Sequence, residues 1–495
     1  MSDLTRRDLL KRSAQATAGM AFAGALTPSG LIAAASAAPP TLSVKSGSLA
    51  SARVMKQWNH YLGKLGPRHT GNPAHKQYIN DLDAALQQLG WETDRKTQTF
   101  SHWEAQGFGL KVFSAGKHVH PAIKPAYYYP YSGETPPGGV TGELKYANKG
   151  ATADFSGGGF AGTIAVVEAT ISQATNEQLY KPWFGFPAGT VPNEPYARSW
   201  IATVPSLAAA KTAGCVGVIV ILPMAPTDAK DQYIPFKKAL QNMPSLHVDA
   251  IAGKQVRALS QASGNSATLS LPAEVNPSET TDGLLAVLPG ANTEQVVVVN
   301  THTDGPDLIE ENGGLGMLSV AQRLAGLSVE ERPCTIAMYF ATGHFAVGVN
   351  SAAQYITDYN ELFKKTKAGV TFEHLGCLRW KDNGENEYGP TGAPESSATY
   401  CSKEQVAKIA EAALQGAGVT LSAAYKAPFS GEGAALNSAG IPMMSYIAGP
   451  DYLLQEVRPG IQFKRWDVNR MQAEISALST MIDNAAAATP ELLKS

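Results

Sequence analysis

Cysteine is scarce, with four residues in a chain of 495. Cys215, Cys334, Cys377 and Cys401 stand apart from one another, none at the close pairwise spacing of a metal finger, which excludes a zinc site built on thiolates. An oxidising compartment would permit a Cys377–Cys401 disulfide, and isolated buried thiols are equally compatible with the spacing. An excess of one charge is missing as well. Lysine and arginine number 40 against 42 acidic residues, for a formal charge of −2, and no long run of either sign occurs. The chain therefore carries no electrostatic footprint for nucleic acid and no attraction to a membrane surface. Beyond the amino-terminal segment no apolar run is long enough to span a bilayer, so no stable membrane anchor is expected. There is no internal repeat and no glycine fingerprint that would cradle a phosphate. No histidine follows His374. Chemistry on a peptide or another small molecule is what these absences leave.

The amino terminus is an address. Thr5-Arg6-Arg7-Asp8-Leu9-Leu10-Lys11 has the form of a twin-arginine export signal, and a weakly apolar Ala/Gly-rich stretch ends in Ala35-Ser36-Ala37. Cleavage after Ala37, use of the twin-arginine export machinery and a periplasmic or secreted location are the expectations. At 44% hydrophobic and 17% charged, the sequence as a whole is ordinary for a soluble protein with a large core.

Residues 38–139 begin with helical periodicity from Ser51 to Leu89, broken by the turn-rich Gly66-Pro67-Arg68-His69-Thr70-Gly71-Asn72-Pro73. Strand-like stretches Trp91 to Phe100 and Phe108 to Phe113 follow, and a Pro/Tyr/Gly-rich linker closes the segment. From 140 to 282 the pattern turns to short strands and turns, which reads as a small β-rich insert. Its Tyr180, Trp183, Phe184, Phe186, Tyr196 and Trp200 suit either a substrate lid or a satellite core under a long loop. From 283 to 495 strands and helices alternate: strands at Leu284 to Leu288, Val296 to Asn300, Thr335 to Ala341, Val370 to Phe372 and Pro442 to Tyr446, with helices at Gly314 to Leu327, Ser351 to Phe363, Gln405 to Gly416 and Asp467 to Ala488. This alternation predicts an α/β fold with a mostly parallel sheet flanked by helices, split by the insert.

One constellation carries chemistry. His302-Thr303-Asp304-Gly305 leaves the apolar run Val296 to Val299, and Glu310-Glu311-Asn312-Gly313-Gly314 precedes a helix. A histidine and carboxylates at the carboxyl end of an α/β strand form a metal-site pattern.

The motif Gly66 to Pro73, the HTD after a strand, the Gly440-Ile441-Pro442 before a late strand and the order of these pieces resemble metallopeptidase family 28, the co-catalytic zinc aminopeptidases. Leu207 to Val220 resembles the core of a protease-associated domain, an insert common in such hydrolases. The resemblance implies that His302 and Glu311 are metal ligands, with glutamate where the family has a bridging aspartate. It places His344, or Phe345 on a one-residue shift, in the region of the family's paired glutamates, and Glu373 at the aspartate of a D-x-x-G stretch, with either Glu373 or its neighbour His374 pointing into the site. The family's general-base glutamate and its final histidine ligand are not found; Gly449-Pro450-Asp451 occupies the latter region. The expected metal set is then His302, Glu311, His344 and Glu373, holding one zinc ion rather than two. Asp304, Glu310 or Glu432 would serve as catalytic carboxylates. The implied activity is cleavage of a peptide or amide bond by an exported hydrolase. The altered ligands leave open a single-metal enzyme for a non-peptide, aromatic substrate, a cyclotransferase, or a noncatalytic binding homologue.

Overall fold

The computed structural model describes residues 42–382, 387–456 and 460–495. The expected export signal and its cleavage site lie outside them. Among the described residues no helix is long and apolar enough to cross a membrane.

A nine-stranded mixed sheet organises the protein. Its strands in chain order are β1 (Glu92–Ala105), β2 (Lys181–Pro182), β3 (Ala273–Leu288), β4 (Asn292–His302), β5 (Cys334–Ala341), β6 (Thr366–Glu373), β7 (Ser397–Cys401), β8 (Ser422–Ala427) and β9 (Met443–Ala448). Across the sheet they run β1-β3-β5-β4-β6-β9-β7-β8-β2. The four central strands β5, β4, β6 and β9 are mutually parallel, so their carboxyl ends share one edge. Antiparallel pairings dominate the flanks.

Strand β4 shows why the centre is parallel and covered on both faces. Val296, Val297, Val298 and Val299 are all fully buried, with Val297 and Val299 in one core and Val296 and Val298 in another. The first core is closed by α1 (Ala52–Leu65), α2 (Pro73–Gln88), α3 (Gly313–Ala325), α4 (Glu404–Gly416) and α5 (Val468–Ala487). Helix α2 starts where the sequence asks for it. The Asn72 side chain accepts from the His75 N–H, and Pro73 occupies the first turn, where its missing donor does no harm. On the other face the expected single helix from Ser351 to Phe363 is two, Ala353–Asp358 and Asn360–Lys365, because Tyr359 leaves the helical region.

A second, eight-stranded sheet has its own core. It includes Gly109–Ser114 and Tyr127–Tyr128, which precede residue 140, while β3 crosses residue 282 as one continuous strand. The exchange between sheets thus falls near Ala105 and Ala273. Strands β7 and β8 and the hairpin Leu378–Asp382 with Tyr388–Pro394 are additions to the elements read from the sequence. All four cysteines are buried free thiols, so the disulfide alternative is not realised.

The aromatic stretch of residues 180–200 is a strap. It adds β2 to the main sheet beside β8, and Trp183 donates from its backbone N–H to Ala424 and from its indole to Cys401. Trp183 and Trp200 pack on the main core, while Tyr180 and Phe186 pack on a small cluster around Tyr400 and Tyr425. The strap fills a satellite core, as one of the two expected roles requires, and it also walls a cavity.

Candidate metal centre

The shared carboxyl edge of the central strands gathers the polar groups. His302 ends β4, Glu373 ends β6 with His374 next, and His344 follows β5 after Gly343. Glu310 is set by a local turn, in which the Asp307 carboxylate accepts from the backbone N–H groups of Ile309 and Glu310.

Three imidazoles are oriented in the same way. His302 Nδ1 lies 2.8 Å from the Asp304 carbonyl, His374 Nδ1 2.5 Å from the Ala448 carbonyl, and His344 Nδ1 2.8 Å from Glu432 Oε1. Each of those oxygens only accepts, so each Nδ1 is a donor and each neutral ring keeps its Nε2 lone pair free. These free nitrogens face carboxylates. Glu310 Oε1 lies 3.7 Å from His344 Nε2 and 4.0 Å from His302 Nε2, and Glu310 Oε2 lies 3.1 Å from His374 Nε2. Glu373 Oε2 is 3.9 Å from His302 Nε2, while its other oxygen accepts from the Glu432 backbone N–H at 2.8 Å.

Buried His302 Nε2, His374 Nε2 and Glu310 Oε2 have no well-aligned hydrogen-bond partner. Buried polar atoms without partners are unfavourable, and a cation at the centre would relieve those it binds. Two overlapping sets have ligand atoms within 4.8 Å of one another: His302, Glu310 and His344, and His302, Glu373 and His374. The donor chemistry, imidazole nitrogen with carboxylate oxygen, suits zinc.

Electrostatics follow from burial and pairing. Burial, reinforced by the neighbouring His344, lowers His302 to about 4 and keeps it neutral. Burial alone would lower His344 too, but its hydrogen bond and charge attraction to Glu432 raise it to about 9. Burial likewise opposes the charge on His374, and Glu310 outweighs it, again to about 9. Burial pushes Glu373 up to about 7. Glu432 goes the other way, to about 2, because His344 and Ser351 outweigh its burial.

No protein-family model and no curated protein sequence matches the chain. Solved structures do resemble it. A peptidase M28 precursor from Shewanella amazonensis SB2B superposes with a TM-score of 0.62 at 15% identity, covering 89% of this chain and 98% of that one. BSAP, a zinc aminopeptidase from Bacillus subtilis, gives 0.59 at 15% identity over 91% and 98% of the two chains. The aminopeptidase from Aneurinibacillus sp. strain AM-1 gives 0.58 at 15% over 87% and 93%. The chain has a zinc aminopeptidase-like fold.

On this zinc aminopeptidase-like frame the expected residues separate into two groups. His302 lies with Glu310 and His344 in one group and with Glu373 and His374 in another. Glu311 belongs to neither. Its carboxylate faces Arg68, with Nε to Oε1 at 2.8 Å and both side chains fully buried, so it is an ion-pair partner rather than a member of the cluster. Two of the expected catalytic carboxylates are also committed elsewhere. Asp304 accepts from Thr70 Oγ1 at 2.5 Å and the Phe345 N–H at 3.1 Å, and it orients His302 through its backbone carbonyl instead of its side chain. Glu432 is occupied by His344, the Ser351 hydroxyl and the Ala352 N–H, so it positions His344 and is no free base.

The backbone is shaped to permit this. His374 adopts φ +58°, a left-handed conformation uncommon outside glycine, at the point where the chain leaving β6 turns its ring toward Glu310. Gly431 has φ +77°, and a Cβ there would strike the Glu373 carboxylate. Asp451, in the region where a final histidine was expected, binds the strap instead. It accepts from the Ser199 N–H at 2.6 Å, while Ser199 Oγ donates toward Asp228 at 2.8 Å. Gly449 accepts from Tyr196 and Arg198, one residue after the carbonyl that holds His374.

Replacing Glu432 by glutamine tests its positioning role. Zinc affinity is expected to fall by about 10–100-fold, the usual cost of losing a ligand-orienting partner, with the fold intact by circular dichroism. An unchanged affinity in a competition assay with a chelating dye would refute the assignment.

Proposed function

We propose that the protein is an exported, zinc-dependent hydrolase of peptide or amide bonds. The observation that carries this reading is the set of three imidazoles, two buried and that of His344 half-buried, each anchored at Nδ1, whose free Nε2 atoms face Glu310 and Glu373 at the carboxyl edge of a parallel sheet. The fold likeness supports it, since BSAP is described as a zinc aminopeptidase. His302, Glu310 and His344 would hold the ion, and two histidines with one carboxylate is a pattern of catalytic zinc, which keeps a position open. The alternative set also needs His302, whose single free nitrogen can serve one ion, so one zinc per chain is our reading. Zinc bound there would supply a Lewis acid for the scissile carbonyl and the attacking water.

The chain's own groups do the rest. Glu373, raised by burial to about 7, is poised to accept a proton near neutrality, and its Oε1 is held by the Glu432 N–H so that Oε2 faces His302. His374, fixed by the Ala448 carbonyl, holds Glu310 in place at 3.1 Å. The twin-arginine-like motif and the soluble composition support export.

Titration of the metal-free mature protein with zinc tests the reading. About one zinc per chain is expected, with proton release, because His344 and any protonated neighbour must become neutral to bind. Apparent affinity therefore rises with pH toward about 9, where His344 loses its proton unaided. Amino-acid amides and short peptides should be hydrolysed by the zinc form and not by the chelated form. Failure to take up zinc at any pH from 6 to about 9 would overturn the proposal.

A further inference from the structure

Glu310, Glu311 and Asn312 are consecutive, and each turns to a different partner. Glu310 faces the imidazoles, Glu311 faces Arg68, and Asn312 reaches the backbone of Leu375. Asn312 stands where α3 begins, a place where asparagine ordinarily caps its own helix, yet its side chain makes no cap hydrogen bond. Its amide instead donates from Nδ2 to the Leu375 carbonyl at 2.7 Å and accepts at Oδ1 from the Leu375 N–H at 2.8 Å. Both residues are fully buried.

We propose that Asn312 is a positioning residue for the centre, which sets His374 against Glu310 by clamping the backbone of Leu375. The pairing of β6 with β4 ends at Thr371 and that with β9 at Glu373, so Leu375 lies past both ladders. The Asn312 amide takes the place of a strand there, because it offers a donor and an acceptor together as a peptide group would. The clamp closes a loop of contacts. Leu375 follows His374, His374 Nε2 lies 3.1 Å from Glu310 Oε2, and Glu310 stands two residues before Asn312.

Helix α3 is fitted for this approach. A Cβ on Gly313 would lie 2.2 Å from the Phe372 carbonyl oxygen, and one on Gly316 would lie 2.5 Å from Leu375 Cδ1. Glycine at these two positions, one helical turn apart, lets the start of α3 press on the end of β6 and brings Asn312 within reach of Leu375. His374 gains most from a fixed backbone, since it holds an uncommon φ of +58° while its ring is tethered only at Nδ1, to the Ala448 carbonyl. The residue type is decisive. Asn312→Asp keeps the outline of the side chain but has acceptors alone, so one oxygen would face the Leu375 carbonyl with no proton between them.

The metal arm of the test rests on the zinc reading, and the metal-free arm does not. In Asn312→Asp, zinc affinity should fall by about 10–100-fold, and the visible spectrum of the cobalt(II)-substituted protein, which reports ligand geometry, should change. Asn312→Ala, which removes the clamp without adding a charge, should lose about tenfold and serves if the aspartate variant does not fold. Leu86→Ala truncates a fully buried side chain near the carboxyl end of α2 and controls for a lowered Tm. It should leave zinc affinity and the cobalt spectrum as in the wild type. In the metal-free protein the His374 Nδ1–H resonance should shift or broaden in the Asn312 variants, while the Nε2–H of His247, held by the Ile234 carbonyl, stays in place. Wild-type affinity and spectrum in the Asn312 variants, an equal loss in Leu86→Ala, or an unmoved His374 resonance would overturn the role. If the wild-type protein takes up no metal while the His374 resonance still moves, the zinc reading falls and the positioning of His374 stands.

Discussion

His302→Ala is expected to yield a folded protein that takes up no zinc and loses at least about a thousandfold in kcat/KM on the amide substrates proposed above, equivalent to about 4 kcal/mol of transition-state stabilisation. The size of the effect follows from the position of one atom. His302 Nε2 belongs to both possible donor sets, so its removal leaves neither complete. No neighbour can replace it, because the other two rings are anchored through Nδ1 to Glu432 and to the Ala448 carbonyl. The fold should survive, since the His302 side chain makes one hydrogen bond to the Asp304 carbonyl and otherwise serves the cluster. Elemental analysis, circular dichroism and a thermal melt on the same preparation separate loss of metal from loss of structure. Retained zinc and activity would remove the proposed centre altogether.

Adjacent glutamates should give opposite results. Glu311→Ala is expected to destabilise the protein by about 3–5 kcal/mol, the cost of leaving one member of a buried ion pair unmatched. Arg68 cannot move its charge into water, because it is fully buried and its guanidinium also donates to the carbonyls of Leu62, Gly66 and Asp307. That loss is a large part of the roughly 5–15 kcal/mol by which a typical domain is stable. Glu310→Gln, by contrast, should cost less stability and fail to retain zinc, since its carboxylate faces three imidazoles, which can give up a proton when left unpaired, and no arginine. Urea melts and zinc stoichiometry of the two variants decide the matter. A stable Glu311→Ala that lacks zinc, with a zinc-replete Glu310→Gln, would reverse the assignment.

The resemblance placed the ligand at Glu311, and the reason the structure brings Glu310 to the centre instead is physical. A strand end and a helix start are visible in the sequence, so His302 and the EENGG segment could be located. Which of two neighbouring glutamates turns inward depends on the Asp307 turn and on Arg68, which lies more than two hundred positions away in the chain and leaves no local signal. The GPRHTGNP motif had a function that only three dimensions reveal. Arg68 neutralises Glu311, Thr70 binds Asp304 and Asn72 caps α2, so the motif buttresses the centre from behind. His374 was visible as the neighbour of Glu373, but its ring reaches the cluster because of a positive φ that composition does not announce. The α/β alternation was legible because central strands such as β4 are buried on both faces. Strands β7 and β8, rich in alanine and serine, have weak intrinsic strand preference and form because neighbours and the strap cover them.

The strap has a consequence for how copies of this protein meet one another. A sheet of this breadth ends in two rows of unpaired backbone groups, and an uncovered row recruits strands from other molecules. At one margin the chain lays its own Lys181 and Pro182 against β8, and proline offers no N–H to extend the ladder. At the opposite margin the long β1 carries Asp94, Arg95 and Lys96, where Arg95 is tied to Asp83 and Lys96 to Asp94. Charge guards one border and a folded-back loop guards the other. A molecule built this way is expected to resist edge-to-edge aggregation at high concentration.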